Sequence, residues 1–207
     1  MWMGYWPDGA IFLPWDLWIV TWMVAALWSA RTVKRPNRSG EMLYRVLVGP
    51  GYVLLLLPWL KHVPGHYEIV DWPGVLGRRF WMPPLALGWT LVGVAAAGFL
   101  FAWWARIYLG RLWSGAITRK EGHNVVDKGP YGIVRHPIYT GIFVAVIATV
   151  VVSGTLHAVL GGACLIIGYW LKARLEERFL REELGADAYD SYRRRVPMLI
   201  PFGPKAA

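Results

Sequence analysis

Long stretches almost free of charge leave this chain few places to fold other than a lipid bilayer. Between Ile11 and Ala30 the only charged side chain is Asp16, and about 20 apolar residues are what a helix needs to cross the hydrocarbon core. Inside that core every backbone N–H and C=O must find a partner within the chain, so such runs read as helices rather than open strands. The pattern recurs over Met42–Leu60, Pro83–Leu109, Ile138–Val152 and Leu156–Leu171. A kink is expected at Gly49-Pro50-Gly51, where proline removes a backbone donor. The last two runs are joined only by Ser153-Gly154-Thr155, which predicts an antiparallel helical hairpin. Its small residues (Gly154, Gly161, Gly162, Ala163, Gly168) are expected to let those two backbones approach closely. The fold expected is an all-α integral membrane protein with five transmembrane helices in a single domain over 1–207. Residues 1–110 are expected to hold three N-terminal spans, and 111–207 the helical hairpin with the polar segments that flank it.

Composition agrees. Charged residues make up 17% and hydrophobic residues 56% of the chain, where soluble domains carry roughly 25% charge. Fourteen tryptophans suit aromatic belts at bilayer interfaces; Trp59, Trp72 and Trp81 are expected at the outer side, and Trp28, Trp103, Trp104 and Trp113 at the inner side. The net charge of +9 sits between apolar runs, not on one face, which favours membrane orientation over nucleic acid. Arg31–Arg45 holds five basic residues against one acid, Arg106–Arg135 six against two, and the tail after Leu171 eight against six. Lys61–Met82 holds three against two, and the N-terminus has no basic residue. The positive-inside rule then places the N-terminus outside and the C-terminus in the cytoplasm. Asp8, with no basic residue before the first apolar run, gives no sign of a cleavable signal peptide. Cys164 stands alone in an apolar run and reads as a small buried hydrophobe.

Polar chemistry is concentrated in Gly122–Pro201, on both flanks of the hairpin, so folding the hairpin brings the two flanks together. In Arg135-His136-Pro137, proline suits the first turn of a helix. That helix start offers free N–H groups beside two side chains able to bind a carboxylate; alternatively, Arg135 and His136 simply mark the membrane boundary. Lys172 and Glu176 share a helical face, as do Glu177 and Arg181. These are either a solvated, salt-bridged helix end or a carboxylate aimed at a ribose hydroxyl or amino group of a cofactor. No His/Asp/Glu grouping has metal-ligand spacing, so no metal is expected. Gly-rich dinucleotide, P-loop and nucleophile-elbow motifs are absent. Arg193-Arg194-Arg195 is short and juxtamembrane, and suits anionic headgroups.

The series His123…Gly129-Pro130-Tyr131…Arg135-His136-Pro137-Ile138-Tyr139-Thr140-Gly141…Glu176-Glu177…Gly185…Tyr189…Tyr192…Val196-Pro197…Pro201 closely resembles the isoprenylcysteine carboxyl methyltransferase family, which shares this region with phospholipid N-methyltransferases. The resemblance implies an S-adenosylmethionine site built from His123, Asn124, Val125, Val126, Tyr131, His136, Pro137, Ile138, Tyr139 and Glu176. It also implies that Lys172 occupies a place where eukaryotic members carry an arginine near the acceptor. Arginine forks onto a carboxylate and lysine makes a point contact, so acceptor recognition is expected to differ. Lys172 and Arg135 are the residues assigned to catalysis. The partners implied are membrane lipids and a lipid or prenylated small-molecule acceptor, with no nucleic acid and no obligatory protein partner. The chain is expected to lack the additional N-terminal spans of eukaryotic relatives, and a prokaryotic cytoplasmic membrane is the expected location. A carboxylate acceptor is favoured, since it is ionised at neutral pH and needs no base. A phospholipid amine N-methyltransferase, a nicotinamide-dependent membrane reductase and a non-enzymatic membrane protein stand as alternatives.

Overall fold

The structure, a computed structural model, describes residues 6–28, 32–34, 38–60, 73–120 and 125–205. Its helices are α1 (Trp6–Ala10), α2 (Phe12–Ala26), α3 (Arg38–Leu60), α4 (Leu85–Leu109), α5 (Pro130–Ile133), α6 (Pro137–Ser153), α7 (Leu156–Leu184) and α8 (Ala186–Arg195). A short antiparallel ribbon pairs β1 (Thr32–Lys34) with β2 (Arg119–Lys120). Ile11 is itself helical and its N–H bonds to Pro7 O at 2.9 Å, so α1 and α2 make one run, Trp6–Ala26. That run, α4 (with the turn after it) and α7 are long and apolar enough to cross a membrane, and α6 is a shorter apolar helix. The protein is an all-α membrane protein.

Tight helix pairs organise the bundle, and they differ from the pairing expected of the hairpin. Gly161 and Gly168 do not serve contact between α6 and α7. They face α3, where a Cβ at Gly161 would lie 2.8 Å from Leu55 N, and one at Gly168 2.7 Å from Val48 Cγ2. Of the small residues in α7, Gly162 is the one set against α6, at Val150 and Val146, while Ala163 is exposed. On the other side of the bundle, α4 lies against α6 through Gly98 and Gly141, where a Cβ at either would meet the other's carbonyl oxygen within 2.6 Å. Side chains are excluded there, so the two backbones touch. Helix α3 passes through Gly49-Pro50-Gly51 as one helix, and Gly51 uses its missing side chain to admit Leu165.

Residues that look like membrane anchors also close the core. Trp15 is 1% exposed and donates from Nε1 to Thr149 Oγ1 at 2.9 Å, tying α2 to α6; Trp15 and Trp18 both pack on Phe99 of α4. Trp28 and Trp104 are exposed, whereas Trp113 is half-buried and packs on Trp22 and Arg106. Trp72 lies outside the described residues. Arg106, 1% exposed, donates to Ala25 O, Trp28 O and Gly110 O. A cation thus satisfies the orphan carbonyls that end α2.

The far end of the hairpin is closed similarly. Gly154 adopts a left-handed conformation (φ 64°) between α6 and α7. Arg79 Nε, Phe80 N and Trp81 Nε1 donate to Ser153 O, Gly154 O and Val151 O. At the opposite end, the ribbon β1–β2 and the Lys34–Glu183 ion pair (2.5 Å) hold together the three basic segments.

Candidate active site

Helix α7 does not end where its apolar pattern does. It continues to Leu184, so Lys172, Glu176 and Glu177 stand on a rigid helix that projects beyond the apolar part of the bundle. Facing it is the start of α6, where Pro137 opens the helix and His136, with φ −123°, sits just outside it. The C-terminal segment crosses this start. Arg135 N donates to Pro197 O at 2.9 Å, His136 N to Met198 O at 3.1 Å, and Thr140 Oγ1 to Leu199 O at 2.6 Å. Proline has no N–H, so the free donors left at this end are those of Ile138 and Tyr139.

One cleft, with an empty volume of about 1050 Å³ counting its open mouth, lies between these elements. It is lined on the α5–α6 side by Tyr131, Arg135, His136, Pro137, Ile138 and Tyr139, on the α7 side by Lys172 and Glu176, and at its rim by Val125 and Val126. The candidate catalytic and cofactor residues singled out in the sequence therefore meet in one cleft, apart from His123 and Asn124, which lie outside the described residues; Glu177 lies outside its lining. Tyr189 and Tyr192 of α8 close it from the tail side.

The carboxylates divide the work. Glu177 points inward, with Oε1 accepting from Arg135 Nε at 2.6 Å and lying 3.3 Å from His136 Nε2. Arg135 also donates from Nη1 to Val196 O at 2.5 Å and Arg193 O at 3.1 Å. The carboxylate held by Arg135 and His136 is thus the protein's own, and the surface pair expected between Glu177 and Arg181 does not form. Arg181 instead pairs with Asp190 at 2.8 Å, and hydrogen bonds from Arg181 hold the Asp190 carboxyl below its ordinary range. Glu176 turns the other way, into the cleft, with its side chain 29% exposed. It accepts from Tyr139 OH at 2.8 Å, and Tyr139 stacks on His136 with rings 5.4 Å apart and nearly parallel.

Lys172 lies deeper, 8% exposed. It donates to Gly115 O at 2.8 Å and sits within 6 Å of the faces of Tyr44, Tyr139 and Tyr169. Among the described residues it makes no ion pair, so up to two of its three donors remain for a ligand. Burial pushes the Tyr131, Tyr189 and Tyr192 phenols well above their usual range, so they remain donors; Tyr192 OH donates to Tyr131 O at 2.7 Å.

The cleft suits a nucleoside-bearing sulfonium cofactor. Thr118, which lines it, carries a buried hydroxyl with no hydrogen-bond partner among the described residues. Glu176 offers a carboxylate, the α6 start offers free N–H groups, and aromatic and aliphatic walls accept an apolar ring.

The family model of isoprenylcysteine carboxyl methyltransferases matches residues 91–183. A "methanethiol S-methyltransferase" of Crocosphaera subtropica is 32% identical over 84% of this chain and 65% of its own length. A "protein-S-isoprenylcysteine O-methyltransferase B" of Arabidopsis thaliana is 28% identical over 79% of this chain and 80% of its own. A "nickel-cobalt-cadmium resistance protein" of Alcaligenes xylosoxydans is 30% identical over 82% of this chain and 71% of its own. This chain belongs to the isoprenylcysteine carboxyl methyltransferase family. The family match covers the core from within α4 to the end of α7 and stops before α8 and the tail, which here complete the cleft.

Thr118 was not singled out in the sequence: it carries no pattern, and only its buried hydroxyl, without a hydrogen-bond partner among the described residues, marks it. Glu177 was singled out, but as a partner for Arg181, four residues on, which concealed its inward contact with Arg135.

Proposed function

We propose that this member of the family transfers a methyl group from S-adenosylmethionine to an anionic acceptor at the inner membrane interface. The observation that carries the reading is Lys172, a buried cation without an ion pair among the described residues, which lines the same cleft as Glu176. Five spans are proposed: α1–α2, α3, α4, α6 and α7, with the N-terminus outside and the C-terminus cytoplasmic. The convergence of the basic segments at one end supports this orientation, and a C-terminal reporter found outside would overturn it.

When bound, the cofactor supplies an electrophilic methyl on a sulfonium. Glu176, positioned by Tyr139, would take a ribose hydroxyl or the amino group. His123, Asn124, Val125, Val126, Tyr131, Pro137 and Ile138 are the other residues proposed to hold it. His136 acts as a stacking support for Tyr139, and Arg135 as a positioning residue that holds the tail over the α6 start. Lys172 would pair with the negative charge of the acceptor and align it, and the apolar walls near Leu109 and Ile142 would exclude water.

The acceptor proposed is the carboxylate of a lipid-like molecule, since a carboxylate is ionised without a base. A thiolate is the second reading, supported by the relative named for methanethiol and by the same need for a nearby cation. A protonated lipid amine is disfavoured, because Lys172 would repel it. The test of the class is calorimetric titration of the detergent-solubilised protein. S-adenosylhomocysteine is expected to bind and NADPH not to bind; the reverse would mean a reductase.

A further inference from the structure

A second cleft lies behind the Arg135–Glu177 pair, between α3, α7 and the C-terminal segment, with about 1390 Å³ of empty space counting its mouth. Arg174, Arg178, Arg193 and Lys205 line it, and Glu177 is the one carboxylate in its lining. That carboxylate is already engaged by Arg135 and His136. Among the described residues, no acidic side chain pairs with Arg174, Arg178 or Lys205. Arg174 lies over the Trp170 ring at 5.2 Å. Arg193 is already paired, through Nη1 with Asp190 at 3.2 Å and through Nε with Glu177 at 3.5 Å. Arg174, Arg178 and Lys205 therefore remain as cations around one cleft that repel each other unless an anion joins them.

The remaining lining is apolar. Leu43, Trp170 and Leu175 form a wall running along α3 and α7 toward the membrane, with Leu43 61% and Trp170 42% exposed. A free phosphate has no use for such a wall, whereas an amphiphile uses both halves of the cleft. We propose that this cleft binds an anionic phospholipid, with its phosphate among Arg174, Arg178 and Lys205 and its acyl chains along Leu43, Trp170 and Leu175. The site is separate from the methyl-transfer cleft, and Arg135 is the one residue that lines both.

Native mass spectrometry of the detergent-solubilised protein, titrated with phosphatidylglycerol, phosphatidylcholine or glycerol 3-phosphate, tests the proposal. Each nearby cation contributes enough that phosphatidylglycerol is expected to bind at least about tenfold more tightly than phosphatidylcholine. The triple variant Arg174→Gln/Arg178→Gln/Lys205→Gln should abolish that preference. Arg178→Gln alone, at an exposed position, should reduce it about fivefold, which keeps the test open if the triple variant does not fold. The charge-matched control Arg111→Gln/Lys128→Gln/Arg194→Gln should keep it. An unchanged preference in the cleft variants, or an equal loss in the control, would overturn the site. Displacement of phosphatidylglycerol by glycerol 3-phosphate at similar concentration would overturn the lipid as its occupant.

Discussion

Arg135 Nε and Glu177 Oε1 lie 2.6 Å apart, both side chains almost fully buried, although they are separated by 42 positions in the chain. This pair joins the start of α6 to the extension of α7, and through the carbonyls of Arg193 and Val196 it also holds the tail. Removing one partner leaves an uncompensated buried charge, at a typical cost of about 3–5 kcal/mol. Glu177→Ala is therefore expected to lower the thermal midpoint in detergent strongly. Arg135→Leu should do the same, and the double variant should lose less than the sum. Strictly additive losses would mean that the two residues act separately.

Glu176, the next residue, should behave differently. It is partly exposed to the cleft and its protein contacts are few, so Glu176→Ala should leave the melting curve near wild type. Losing a charge-assisted hydrogen bond costs about 1.5–3 kcal/mol, so affinity for S-adenosylhomocysteine should fall roughly ten- to hundredfold. Titration calorimetry and a melting curve on the same sample separate the adjacent carboxylates. Unchanged affinity would remove Glu176 from the cofactor site.

This contrast shows where sequence reasoning succeeds and where it stops. The helix start at Pro137, the turn Ser153-Gly154-Thr155 and the meeting of residues 125–139 with Lys172 and Glu176 were legible, because proline, glycine and the apolar runs act locally. The length of α7 was not legible, since its apolar pattern ends near Leu171 while its backbone continues to Leu184. Nor was the inward turn of Glu177, because its partner lies on another helix and a plausible local one stood closer. Helix pairing was misread for a related reason. Glycine shows that something approaches closely but not what, and Gly161 and Gly168 admit α3 rather than α6.

The α4–α6 contact yields a packing prediction. A Cβ at Gly141 would lie 2.3 Å from Gly98 O, a backbone atom that cannot swing away, whereas one at Gly93, also on α4, meets nothing within 4 Å. Overpacking typically costs about 1–3 kcal/mol. Gly141→Ala should therefore destabilise the detergent-solubilised protein, and Gly93→Ala should not. Equal midpoints for the two variants would show that α4 and α6 separate without penalty.

The last prediction concerns the acceptor and follows from ionisation near Lys172. A carboxylate with a reference pKa of about 4 is fully ionised throughout the neutral range, so its methylation rate should stay nearly flat between about pH 6.5 and 8.5. A thiol with a reference pKa of about 8.5 is mostly protonated at the lower end, so its rate should climb up to about tenfold per pH unit. A lipid amine would climb in the same way, and its cationic form would be repelled by the lysine. The measurement combines the rate profile with the fate of a labelled methyl group after mild alkali, using membrane lipid extract or a small alkanethiol as acceptor. A flat profile with release of labelled methanol identifies an ester and hence a carboxylate acceptor. A rising profile with label retained on a volatile thioether reverses the choice in favour of a thiol. Lys172→Met supplies the link to this structure. It should slow transfer roughly ten- to hundredfold with either anionic acceptor, while cofactor affinity, proposed to rest on Glu176, stays near wild type. Undiminished transfer in this variant would remove the buried lysine from acceptor recognition.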